Sequence, residues 1–118
     1  LTLKPRCTKI ESKILSGIKG NLGMVSPKLT TLQIENGISN LSGWTVQEEK
    51  LHKQYHFDSF IEAFGFMASV ALVAESMNHH PEWTNVYNRI TIDLTTHDSG
   101  GISALDFELA RRADEIAG

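Results

Sequence analysis

The chain has 118 residues, of which 41% are hydrophobic and 21% are charged, and its formal net charge is -3. This length and composition are typical of one globular domain with a modest core, and the acidic balance argues against direct nucleic-acid binding. The single cysteine, Cys7, excludes an internal disulfide, a thiolate zinc site and a Cys-X-X-Cys redox motif. A reducing compartment is therefore the simpler expectation.

Residues 1–27 are predicted to be a basic extension that precedes the domain. Up to residue 28 the chain has six basic side chains and one acidic one, a balance of +5, so the remainder carries -8. Four apolar residues with four-residue spacing form a helical stripe: Ile10, Ile14, Ile18 and Leu22. One interpretation is the remnant of an organellar targeting sequence, and the other is a weakly ordered extension without a role.

The first residue is Leu1 rather than methionine, which suggests a fragment or a processed form. The expected location is the cytoplasm, or a mitochondrion or plastid if residues 1–27 are a targeting remnant.

The predicted domain, residues 28–118, begins with a helix and a β-hairpin. Thr30 or Thr31 is a suitable cap for a helix that runs to about Asn40. Residues 44–46 and 51–57 are predicted to be strands, because short runs of apolar and β-branched residues flank a polar turn.

A second helix is predicted from Ser59 to about Asn78. Ser59 and Glu62 have the spacing of a capping box. The apolar run 60–74 is too short and too interrupted to predict a membrane span. Its polar residues recur every seven positions, so only a narrow stripe is expected to be wet, and self-association is expected to cover part of the rest.

The second half of the chain predicts two more strands and a last helix. Pro81 disfavours helical backbone at His80 and ends the second helix. Strands are predicted at 83–87 and 89–96, and the second of these alternates apolar and polar residues. Ser103 is the predicted cap of the last helix, with Asp106 as the reciprocal half of the cap. The order α-β-β-α-β-β-α predicts an α+β fold, a four-stranded antiparallel sheet with three helices packed on one face.

The candidate functional residues lie where these elements end. His79 and His80 follow the second helix and His97 follows the last strand, and imidazoles exchange protons near neutral pH. Glu75 lies four residues before His79, so on a helix it would stack on that imidazole and orient it. The plainer interpretations are a polar helix cap, a solvated histidine and a surface ion pair. Adjacent histidines rarely direct both rings at one ion, so no metal is expected.

Several neighbouring residues have a plain structural interpretation. Trp83 and Tyr87 are aromatic residues, and such residues more often pack in a core than bind the ring of a ligand. His52 and His56 alternate along a predicted strand and are interpreted as structural.

Together these residues resemble the motif of the pterin-4a-carbinolamine dehydratase family, over roughly residues 29–117. The motif is Glu75-x-x-x-His79-His80-Pro81, followed by a tryptophan, a tyrosine, His97 and the Asp106 position. The resemblance implies one four-stranded antiparallel sheet with three helices, in dimers that often pair into tetramers. It also implies an enzyme, a hydro-lyase that removes water from a 4a-hydroxytetrahydropterin to give the quinonoid dihydropterin, in tetrahydrobiopterin recycling.

The resemblance also implies roles for individual residues. His79 and His97 would be the acid–base pair, His80 would bind and polarise, and Glu75 would orient the histidines. The substrate-binding set carried over from the family is His79, His80, Pro81, Trp83, Thr96, His97, Asp98 and Ser99. No cofactor is expected, since pterin is the substrate, and no membrane partner is expected. Some family members resemble transcriptional coactivators, so a non-catalytic oligomeric binding module is the alternative function.

Overall fold

The computed structural model describes residues 26–118, so nearly all of the predicted extension, residues 1–27, lies outside the described residues. Its two interpretations stay predictions. The predicted order of elements is confirmed, and a 3-10 turn, His97–Ser99, follows the last strand. The helices and strands are α1 (Thr31–Ile38), β1 (Thr45–Gln47), β2 (Lys50–His56), α2 (Phe60–Met77), β3 (Glu82–Val86), β4 (Arg89–Leu94) and α3 (Ala104–Ala117).

The four strands form one antiparallel sheet in the order β1-β2-β4-β3, as the α+β prediction requires. In the central pair β2–β4, Leu51 lies opposite Leu94 and Tyr55 lies opposite Ile90. These side chains are buried, so this is the sheet face that the helices cover. The intervening residues lie on the other face, where His52 contacts Asp93. One face therefore builds the core and the other carries polar side chains.

The second helix, α2, begins at its predicted cap but ends with a turn that the sequence did not predict. The Ser59 side chain accepts a hydrogen bond from Glu62 N at 3.1 Å. The Glu62 carboxylate accepts from Asp58 N rather than from the cap, so only half of the predicted capping box forms. At the other end Asn78 has left-handed backbone, with φ of 50°, and its N–H donates to the Ala74 and Glu75 carbonyls.

One side of α2 faces the sheet through Ala63, Phe66, Val70 and Ala74. The opposite side is exposed and apolar, with Ile61 at 82% and Leu72 at 75% exposure.

By length and composition alone α2 could cross a membrane, since it has 18 residues and a mean hydropathy of 1.5. The apolar run predicted from the sequence, residues 60–74, is shorter than this helix. One such helix is weak evidence for a membrane span, because core helices of water-soluble domains have similar composition.

The last helix, α3, has the predicted reciprocal cap between Ser103 and Asp106. Near its other end Asp114 accepts hydrogen bonds from Trp44 Nε1, from Lys53 Nζ at 2.8 Å and from the Tyr55 hydroxyl. Burial, and then the hydrogen bond to Asp114, raises the pKa of Tyr55 above its usual range. This cluster connects α3 to strand β2 and to Trp44, the residue before β1.

The strand ends differ from their predicted positions in a way that matters for the site. Residues 87 and 88 make the β3–β4 turn, so β3 ends at Val86, one residue before its predicted end. Strand β4 ends at Leu94 rather than at residue 96, because Thr96 forms an isolated bridge with Gly101. Thr96 N donates to the Gly101 carbonyl at 3.0 Å, and the chain turns between them. His97 therefore begins a 3-10 turn that follows the strand.

Candidate active site

His79 is the most firmly held of the three candidate histidines. The residue is only 7% exposed, and its Nε2 lies 2.5 Å from Oδ1 of the completely buried Asp106. A carboxylate oxygen accepts, so the imidazole donates from Nε2. This bond joins residues that are 27 positions apart, from the end of α2 and from the first turn of α3. His79 therefore lies in the packed interior. Its second ring nitrogen, Nδ1, takes no part in the bond to Asp106.

The second oxygen of Asp106 connects the carboxylate to the segment that carries His97. Asp106 Oδ2 accepts from the Thr96 hydroxyl at 2.8 Å and from Ser103 N at 2.9 Å. Because the Thr96 proton is used in this way, the Ser103 hydroxyl donates to Thr96 Oγ1 at 2.7 Å. One carboxylate thus brings together the segment after α2, the segment after β4 and the start of α3.

Glu75 contacts a different histidine from the one that helical spacing predicts. The left-handed backbone at Asn78 ends the helix before residue 79, so the four-residue stacking of Glu75 on His79 does not occur. The contact of Glu75 Oε1 is with His80 Nε2, at 2.9 Å. Both side chains are exposed, at 78% for Glu75 and 58% for His80. The prediction that Glu75 orients His79 is wrong, and the carboxylate lies beside His80.

His97 lies at the surface, near the start of β3. Its side chain is 82% exposed, and its Nε2 lies 3.3 Å from Oε2 of Glu82. The other oxygen of Glu82 accepts from Lys50 Nζ at 2.7 Å. The hydrogen bond from Lys50 is the main cause that lowers the pKa of Glu82, with a smaller contribution from His97. The same bond raises the pKa of Lys50.

The remaining candidate residues are placed around these histidines. Pro81 is half-buried and leads directly into β3. Trp83 lies opposite Ile92 on the helix-covered face and packs against the core, which agrees with its plain interpretation. Asp98 is exposed, and the Ser99 hydroxyl donates to the carbonyl of Ser26. The substrate-binding roles of these residues stay predictions.

A surface cavity of about 240 Å³ lies beside His97. It is lined by Glu48, Glu49, Lys50, Thr95, His97, Gly100 and Gly101. Within residues 26–118, no three histidine, cysteine, aspartate or glutamate side chains are grouped so that they could hold a metal ion. The expectation of metal-free chemistry stays a prediction.

From its position in the sequence, Asp106 is predicted to cap a helix, and the structure adds a second role. The capping bond uses Asp106 Oδ2, while Oδ1 binds His79. No local pattern signals this, because the partner, His79, lies 27 positions away in the segment after α2. The one available signal was the Asp106 position within the family motif. No sequence pattern predicts the contact between Glu82 and Lys50, because it joins two strands that lie on either side of β4.

Comparisons with known proteins identify the family of this chain. Residues 27–116 match the family model described as pterin 4 alpha carbinolamine dehydratase. The chain belongs to this family. A relative from Solibacter usitatus, provisionally named pterin-4-alpha-carbinolamine dehydratase, is 57% identical over 93 residues, which are 79% of this chain and 98% of the relative. A relative from Prochlorococcus marinus strain MIT 9303 has the same provisional name and is 52% identical, over 74% of this chain and 91% of its own.

Two solved structures extend the comparison to the fold. The crystal structure of a transcriptional coactivator/pterin dehydratase from Brucella melitensis has a TM-score of 0.76 and 41% identity, over 77% of this chain and 99% of that one. A pterin dehydratase-like protein identified as a RuBisCO assembly factor in the alpha-carboxysome has a TM-score of 0.56 and 24% identity, over 64% of this chain and 90% of that one. The second likeness concerns the fold alone.

Proposed function

We propose that this member of the pterin dehydratase family removes water from a 4a-hydroxytetrahydropterin and releases the quinonoid dihydropterin. The observation that carries the proposal is the buried Asp106 carboxylate, which binds His79 through one oxygen and Thr96 through the other. A buried carboxylate that holds an imidazole in one orientation is the arrangement that acid–base catalysis uses. Here the same carboxylate also binds Thr96, the residue before His97.

The reaction needs one base and one acid. The proton on N5 is removed, the C4a–O bond breaks with a second proton delivered to the departing hydroxyl, and a C4a=N5 double bond remains. We assign these two transfers to His79 and His97. His79 donates from Nε2 to Asp106, which leaves Nδ1 for the substrate. The ring of His97 is exposed and accessible. Each well-placed transfer contributes about 10²–10⁴-fold.

His80 and Glu75 have a binding role in this proposal. Their side chains contact each other at the surface, so Glu75 orients His80 and His80 binds and polarises the pterin. Pro81 and the Thr96–Ser99 segment would contact the flat ring system. No cofactor takes part, because the pterin itself is the substrate.

A dehydration assay on a freshly generated 4a-carbinolamine tests the proposal. We expect the wild-type protein to accelerate formation of the quinonoid product, and His97→Ala to lose at least about 10²-fold in turnover while it keeps its melting temperature. The ring of His97 is outside the core, so its removal should not disturb the fold. An inactive wild-type protein, or a folded His97→Ala variant with normal turnover, would contradict the assignment.

The alternative, a non-catalytic oligomeric binding module, has one structural observation in its favour. The outer side of α2 exposes Ile61, Phe64 and Leu72, an apolar surface suited to another helix. The Brucella melitensis neighbour is named both a coactivator and a dehydratase. A binding module would keep its interactions when His79, His80 and His97 are replaced, whereas the enzyme would lose its activity.

A further inference from the structure

The contact between His97 and Glu82 has no counterpart in the predicted site. Among the described residues, Glu82 is the one acidic side chain at ion-pair distance from His97, with 3.3 Å between Nε2 and Oε2. The imidazole is 82% exposed, so little packing restricts its rotation. A side chain that acts at one atom of a substrate needs a fixed orientation. Glu82 is the group in position to supply it.

The sheet explains why Glu82 is in this place. It is the first residue of β3 and lies opposite Asp93, one residue before β4 ends. The segment after β4 then turns at His97, so the imidazole lies over the same corner of the sheet. Lys50, the first residue of β2, reaches Glu82 from the other side of β4. Three elements therefore meet at this carboxylate.

The two oxygens of Glu82 have separate partners. Lys50 Nζ donates to Oε1 at 2.7 Å, while Oε2 faces the imidazole of His97. The bond from Lys50 keeps the pKa of Glu82 below its usual value, so the carboxylate remains an acceptor. An ionised carboxylate beside one nitrogen of a neutral imidazole favours the tautomer with the proton on that nitrogen.

We propose that Glu82, held by Lys50, is a positioning residue for His97 that keeps the ring proton on Nε2 and directs Nδ1 to the substrate. Its kinetic consequence rests on the proposed dehydratase function, but the tautomer does not. The Asp106–His79 pair also has Nε2 beside a carboxylate, in a shorter hydrogen bond of 2.5 Å. Each proposed catalytic ring would thus be oriented by a carboxylate beside Nε2, one through a buried hydrogen bond and one through an exposed ion-pair contact.

An ordinary exposed ion pair would give different results. Such pairs contribute little to folding, so a purely structural contact would leave both the ring tautomer and turnover unchanged when it is removed. A positioning contact changes both of these and leaves the melting temperature unaltered. The discriminating measurements are therefore the nitrogen chemical shifts of the His97 ring and the division of the kinetic effect between kcat and KM.

The test compares Glu82→Gln and Lys50→Met with Glu108→Gln. Glu108 is a half-buried glutamate of α3 with arginine partners, so its substitution makes the same chemical change away from the site. In the free protein we expect the Nε2–H tautomer in the wild type and in Glu108→Gln, and a mixture in Glu82→Gln, because an amide both donates and accepts. We expect kcat of Glu82→Gln to fall about 10-fold with KM within about twofold, the low end of the effect of losing an orienting partner.

The Lys50 variants complete the experiment. Lys50→Met should also lower kcat, by a smaller factor than Glu82→Gln does. Lys50→Arg should have a kcat close to that of the wild type, because arginine keeps the charge and the donor. Wild-type tautomer populations in Glu82→Gln would overturn the proposal whatever the kinetics show. If the wild-type protein does not dehydrate the carbinolamine, the proposed function fails, while the ring tautomer still decides whether Glu82 positions His97.

Discussion

Replacement of Asp106 by asparagine is the most informative perturbation of the buried network. In the wild type the carboxylate accepts from three donors: His79 Nε2, the Thr96 hydroxyl and Ser103 N. Asparagine keeps the size of the side chain, and its carbonyl oxygen is able to replace Oδ2. Its amide nitrogen would then face His79, and two donors cannot share one hydrogen bond. The imidazole must therefore change to the tautomer with the proton on Nδ1, the nitrogen that our proposal directs at the substrate.

The loss of folding stability can be calculated from the hydrogen bonds that each substitution changes. Asp106→Ala would leave three donors without an acceptor in a buried site, at about 1–3 kcal/mol each, and would threaten folding in a domain of about 5–15 kcal/mol total stability. Asp106→Asn keeps a partner for each of these groups but changes all three hydrogen bonds from charge-assisted to neutral, while it also removes the cost of burying a charge. That exchange costs about 1–2 kcal/mol. The corresponding fall in melting temperature is roughly 4–16 °C for a domain of this size.

The kinetic effect should be much larger than the effect on stability. A histidine with its proton on the wrong nitrogen loses its function as base or acid, so we expect turnover to fall by about 10²–10⁴-fold. Thermal melting and the carbinolamine assay, applied to Asp106→Asn and to the exposed control Asp58→Asn, measure both quantities. If Asp106→Asn melts and turns over like the control, Asp106 does not determine the state of His79 and the reasoning fails.

Three further predictions concern metal, self-association and the N-terminal extension. Chelating agents should leave turnover unchanged, and a loss of activity that zinc restores would revive a three-histidine metal site. Light scattering at micromolar concentration should show at least a dimer, because the outer side of α2 is apolar, and a strict monomer would contradict this. Removal of residues 1–27 should change neither turnover nor melting. A fall of several degrees, about 1 kcal/mol for a domain of this size, would show that the extension stabilises the domain.

Much of the fold could be predicted because its signals are local. The caps at Thr30, Ser59 and Ser103 mark the helix starts, since a polar side chain within three residues satisfies the free backbone donors there. Alternation at Ile90, Ile92 and Leu94 marks the buried face of β4. The family motif likewise depends on residue types at fixed spacing. The order of elements, the α+β class and the membership in the pterin dehydratase family were all accessible in this way.

The partners of the site residues were decided only by the tertiary structure. Left-handed backbone at Asn78 moves His79 off the helical face, so Glu75 contacts His80 instead. His79 then finds Asp106 on another helix. A hydrogen bond between distant residues depends on how helices and strands pack, and spacing along the chain contains no direct record of that packing. The sequence by itself therefore predicted which residues could do the chemistry, and the packing of α2, α3 and the sheet decided which carboxylate contacts which histidine.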